Sequence, residues 1–78
     1  MIKEIKVING KKDFNGLILK SIQAYKELNP FGIEYIKFYE LRDYNGHTSH
    51  HFIKSLKNDN LNIENEINKI INEVGEWK

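Results

Sequence analysis

The spacing of apolar positions changes along the chain, and each spacing predicts a different element. Ile2-Lys3-Glu4-Ile5-Lys6-Val7-Ile8 is a short β-branched run closed by Asn9-Gly10, a turn signal, and predicts a first strand. Phe14, Leu17, Ile18, Ile22, Tyr25 and Leu28 then recur mainly at separations of three and four, the stripe of an amphipathic helix. Asp13 suits the N-cap of that helix, where its carboxylate accepts a free backbone N–H. Asn29-Pro30 ends it, because proline disfavours helical geometry at the residue before it. Gly16, inside the expected first turn, would let the helix approach a sheet closely.

From residue 33 the pattern changes to aromatic and β-branched residues, and Asn45-Gly46 supplies the pair favoured by a type I′ turn. Residues 33–44 and 47–57 therefore read as a hairpin. A two-residue loop would set Tyr44 opposite His47, Glu40 opposite His51, Tyr39 opposite Phe52, Phe38 opposite Ile53 and Lys37 opposite Lys54. One sheet face then carries Ile36, Phe38 and Ile53, and the other carries Tyr35, Tyr39, Leu41, Phe52 and Leu56. The pattern does not choose which face is covered. A rival reading caps a short helix over 50–57 with Ser49. The last segment has Ile63, Ile67, Ile70, Ile71 and Val74 on one helical stripe, with Asn60 or Asn62 as cap and Gly75 as the stop.

The expected fold class is α+β, in the order β-α-β-β-α. A three-stranded antiparallel sheet of order 1-3-2 would carry both helices on one face. Such a pattern resembles a ferredoxin-like fold lacking its last strand, a likeness that carries no function. At 78 residues the chain reads as a single domain over 1–78, without repeat or linker.

Composition narrows the chemistry. There is no cysteine, which excludes disulfides, thiolate metal sites and cysteine nucleophiles. No apolar run reaches the roughly 20 residues of a membrane span, and MIKEIKV lacks the longer apolar stretch of a signal peptide, so a cytoplasmic location is expected. Net charge is +1 but uneven: residues 1–57 carry ten Lys/Arg against six Asp/Glu, and residues 58–78 two against five. The body is mildly basic and the C-terminal segment acidic.

His47, His50 and His51 invite a metal reading. On a strand, however, His47 and His51 lie about 13 Å apart and His50 points to the other face, so the three do not converge on one ion. No metal and no cofactor are expected. Glu40 opposite His51 is the minimum pair for acid–base chemistry, but no activated nucleophile, phosphate-cradling loop or motif-spaced carboxylate pair accompanies it. The chain is read as non-enzymatic.

What remains is a binding surface. Tyr35, Tyr39 and Phe52, bordered by Lys37, Arg42 and Lys54, would form an aromatic and basic patch on the hairpin, and Trp77 would be a terminal anchor. The expectation is a small module that acts by contact with a protein partner or a second copy of itself. Size and AT-biased composition are those of many phage or mobile-element inhibitors of host defence. The alternative is a nucleic-acid-binding domain that stacks bases on Tyr39 and Phe52, with Lys37 facing Lys54 across the hairpin.

Overall fold

The computed structural model describes residues 1–8, 10 and 12–74. Four strands and one helix follow in chain order: β1 (Lys3–Lys6), β2 (Ile18–Leu28), β3 (Glu34–Tyr44), β4 (His47–Lys57) and α1 (Ile63–Val74). Each strand pairs antiparallel with its neighbour in sequence, so the sheet has the order β1-β2-β3-β4. The expected β-α-β-β-α order, with a three-stranded 1-3-2 sheet beneath two helices, is overturned. Most of the segment read as the first helix is the inner strand β2, and the ferredoxin-like likeness falls with it.

The physical reason lies in the burial of β2. Leu19, Ser21, Ile22, Gln23 and Ala24 are all buried, so both faces of the strand are covered, and polar and apolar positions alternate only from Ser21 on, after the apolar run Leu17-Ile18-Leu19. Pairing with β3 slips between Leu19 and Ser21, leaving Lys20 as a bulged residue. The bulge puts Leu19 and Ile22 in the same core although they are three apart, a spacing that mimics a helix. The ends of the supposed stripe lie in solvent, with Phe14 85% and Leu28 65% exposed.

The residues read as helix boundaries serve as turn builders instead. Asp13 Oδ1 accepts the backbone N–H of Asn15 at 2.9 Å and of Leu17 at 3.0 Å. Asn29 Oδ1 likewise accepts Phe31 N–H at 2.9 Å and Ile33 N–H at 2.8 Å. Side chains of this kind compete with helix by bonding their own backbone a few residues on. One such turn stands at each end of β2.

The hairpin is present, with Asn45 at φ 50° and Gly46 at φ 84°, as a type I′ turn requires. Pairing runs from Tyr44/His47 through Glu40/His51 to Tyr39/Phe52. It then slips by one residue at Ile53, so Phe38 faces Lys54 and Lys37 faces Ser55. The expected Phe38/Ile53 and Lys37/Lys54 pairs are therefore replaced, and Leu56 moves to the face of Ile36. Residues 50–57 are strand, not helix.

Asn62 caps α1 by accepting Asn65 N–H at 3.1 Å, and Glu64 and Glu66 favour the positive end of the helix dipole. Ile67 and Ile70 are fully buried against Leu19, Ile22, Ala24, Ile36 and Phe38, flanked by Ile5, Val7, Ile53, Leu56, Leu61, Ile63 and Ile71. Lys3–Glu64 (3.7 Å) and Lys54–Glu66 (3.4 Å) tether the helix to the two opposite edge strands. Gly75, read as its stop, lies outside the described residues. Twelve helical residues span about 18 Å, whereas eleven strand residues span about 36 Å. The helix can therefore cover only about half the length of one face, and among the described residues the opposite face carries no helix.

Candidate functional site on the open sheet face

Cross-strand pairing aligns Glu4, Gln23, Tyr39 and Phe52 in a single row across all four strands of the helix-free face. A second row, Lys6, Ser21, Leu41 and His50, lies beside it. Tyr25 and Lys37 form the next pair toward the other end. This surface is thus built from alternate residues of each strand, the set that the pleat turns away from the helix.

The face is held together by directed hydrogen bonds. Ser21 Oγ and Gln23 Nε2 both donate to Glu4 Oε2, at 2.9 and 2.6 Å. Gln23 Oε1 accepts the Tyr25 hydroxyl at 2.9 Å and lies 3.1 Å from His50 Nε2. A carbonyl oxygen cannot donate, so His50 Nε2 is the donor in this contact. The glutamine holds Glu4, Tyr25 and His50, which come from three strands, around one amide. Ser21 and Gln23 are only 2% and 7% exposed although no helix covers them, because the side chains of this network form the cover. The bonds from Gln23 and then Ser21 hold the Glu4 carboxyl below the usual glutamate range.

Beside the network runs an aromatic ladder. Tyr25 meets Tyr39 edge to face with ring centroids 5.4 Å apart, and Tyr39 meets Phe52 at 5.6 Å. Such pairs add about 0.5–1.5 kcal/mol beyond area burial and fix ring orientation. Phe52 remains 57% exposed at the rim. An open depression of about 440 Å³ lies at the β1 end of the same face, lined by Glu4, Lys6, Ser21 and Leu41 among others.

A second polar group stands on the helix side, beyond the reach of α1. Arg42 is 5% exposed; its Nε binds Glu40 and lies 3.9 Å from Asp13, and its Nη1 donates to the Leu17 carbonyl at 3.2 Å. These bonds tie the 13–17 turn to β3. The Leu17 N–H first, and then the Asn15 N–H and the Arg42 charge, lower the Asp13 carboxyl against the opposing effect of burial. Ser49 Oγ lies 2.8 Å from His51 Nε2 in the same region. Arg42 is engaged by carboxylates and a carbonyl within the chain, which makes this group a structural clasp.

Of the residues read as a binding patch, Tyr35, Lys37, Tyr39 and Phe52 share the open face, whereas Arg42 and Lys54 stand on the opposite one. Trp77 lies outside the described residues. Lys37 is bound to Glu27, Lys54 to Glu66, and Arg42 to Glu40 and Asp13. The histidines part company: His50 joins the open face, His51 turns to the helix side, and His47 flanks the hairpin turn. Among the described residues no group of three or more His, Cys, Asp or Glu converges as metal ligands, and no helix is long and apolar enough to cross a membrane.

Sequence reasoning missed Glu4, Ser21, Gln23 and Tyr25 because residues 13–28 read as a helix. The signal was the strict alternation of Ser21, Gln23 and Tyr25 with Ile22 and Ala24, which is a strand period. No family model, characterised protein or solved structure matches the chain.

Proposed function

We propose that the chain is a binding module that acts through protein–protein contact, with the open sheet face as its contact surface. The observation that carries this reading is the Tyr25–Tyr39–Phe52 ladder at the middle of that face, beside which Lys37 is paired with Glu27. Protein interfaces favour tyrosine and phenylalanine held rigidly, with few free charges near their centre. The rigid Gln23 network serves the same end, since side chains ordered beforehand lose less entropy on binding. Of the three cations read beside the aromatic rings none is left unpaired on this face, and Lys6 and Lys57 stand on the edge strands. Lys37 sits against Glu27, and Arg42 and Lys54 belong to the other face. Lys37 no longer opposes Lys54, so the like-charge pair that would have welcomed a phosphate is absent.

The test compares the wild-type chain with the double variant Tyr39→Ala/Phe52→Ala in affinity capture from the native host, with circular dichroism as the fold control. A partner retained by the wild type and lost by the folded double variant supports the reading. Salt-sensitive binding of a labelled oligonucleotide pool, abolished by the same variant, would sink it in favour of nucleic acid.

A further inference from the structure

The two edges of the sheet are protected to very different degrees. β1 is four residues long and bears Lys3 and Lys6, a short and charged edge of the kind that resists pairing. β4 is eleven residues long, and its protection is confined to one half: the bulge at Ile53, then Lys54 and Lys57. Over residues 47–52 there is no lysine, no carboxylate, no proline and no bulge.

The backbone of that half points outward in a regular way. Tyr44 and His47 flank a two-residue turn and exchange both hydrogen bonds, so the bonded pairs recur at Arg42/Ser49 and Glu40/His51. Thr48, His50 and Phe52 therefore turn their N–H and C=O groups to the free side. Thr48, His50 and Phe52 are also exposed residues, with Phe52 the large apolar one.

We propose that two copies of the chain pair antiparallel through residues 48–52 of β4, about a two-fold axis at His50, to form one continuous eight-stranded sheet. In this register His50 meets His50 of the second copy, and Thr48 meets its Phe52, each pair exchanging backbone bonds. Ser49 meets His51 on the helix side, so the hydroxyl–imidazole contact already made within one chain is available between chains. The electrostatics suit a second copy in particular: the overlapping residues carry no formal charge on lysine or carboxylate, so the two-fold sets no such like charges together. The lysines beyond the bulge fall outside the overlap. Pairing also covers part of Phe52 and extends the open face across both copies without consuming its centre. The inference concerns the rim of the sheet and does not rest on the proposed function of the face. Five residues per copy make a small interface, so the pairing is weak and is sought up to high concentration.

Sedimentation equilibrium on the full chain, from about 5 µM to 1 mM, tests it. The wild type should pass from monomer to dimer across that range. Thr48→Pro removes an outward N–H that β3 does not use, and His50→Lys sets two ammonium groups on the axis. Both should remain monomeric with an unchanged circular dichroism spectrum, while Tyr39→Ala should still dimerise. A wild type that stays monomeric at 1 mM overturns the proposal. So does a dimer that survives in folded His50→Lys or is dissolved by Tyr39→Ala, the latter placing the contact on the open face instead.

Discussion

The two faces of this sheet are built from the same strands but kept dry by different means. On one, Ile22, Ala24, Ile36 and Phe38 pack against Ile67 and Ile70 of α1. On the other, Ser21 and Gln23 are buried beneath side chains that bond to them, and no buried side-chain nitrogen or oxygen among the described residues is left unsatisfied. The first face is non-directional: any apolar filling of about the right volume serves. The second is directional, because the Gln23 amide has one arrangement that satisfies Glu4, Tyr25 and His50 together. The apolar face contributes most of the stability, and the polar face sets where the exposed aromatic rings stand.

The largest effect should come from the apolar face. Phe38 is the largest fully buried side chain, and Phe38→Ala should cost about 3–5 kcal/mol. Native proteins hold only about 5–15 kcal/mol in all, so the urea midpoint should fall by a large fraction of its wild-type value. A cost below that of a polar-face substitution would reverse the assignment of roles to the two faces.

Arg42→Ala should come next, at about 2–4 kcal/mol, because it leaves the shielded Glu40 and Asp13 carboxylates facing each other without their cation. The same urea experiment reads it, and the 13–17 turn should lose amide protection first, since Arg42 holds the Leu17 carbonyl. Equal protection loss throughout the sheet would mean that the clasp is part of the core.

Gln23→Ala should cost about 1–3 kcal/mol, the penalty of leaving Tyr25, His50 and Glu4 short of a partner. Its sharper signature is positional. The near-ultraviolet circular dichroism of the tyrosines should change while the backbone signal does not. A silent near-ultraviolet spectrum would show that the ladder stands without the network.

The contrast between the faces also explains what was legible beforehand. The α1 stripe reads directly from Ile63, Ile67, Ile70 and Ile71 because one side of the helix meets the core and the other meets water. The turn of the hairpin reads directly because Asn45 and Gly46 are among the few residues that accept its positive φ angles. β2 resists such reading because it is buried on both sides by unlike means. Its inner face is apolar, its outer face is polar, and the bulge at Lys20 breaks the count between them. Likewise Lys54 was read on the aromatic face because a single extra residue at Ile53 moves the following residues across the sheet. Bulges carry no residue signature comparable to Asn-Gly, so pairing alone reveals them. Of the open face, Tyr35, Lys37, Tyr39 and Phe52 were therefore legible from the hairpin, and its β1 and β2 members were not.

The smallest effect separates the faces by pH. Glu4, on the open face, is held below the glutamate range by Gln23 and Ser21. Glu66, on the helix side, is held down despite the opposing effect of burial, by Lys69 and Lys54. A carboxyl whose value is lower folded than unfolded binds fewer protons in the native state. Its contribution is thus complete above the ordinary value of 4.5 and lost as pH falls through the lower folded one. Urea midpoints should be flat from about pH 7 to 5 and decline below that. The Glu4→Gln and Lys54→Met variants each remove one face's part of the decline, with Asp13 contributing in both. Glu4→Gln removes the titrating group of the network, and Lys54→Met removes one cation that depresses Glu66. Each should flatten part of the acid limb. An acid limb unchanged in Glu4→Gln would mean that the hydrogen bonds of the open face do not distinguish the carboxylate from its neutral form, and the directional role assigned to that face would fail.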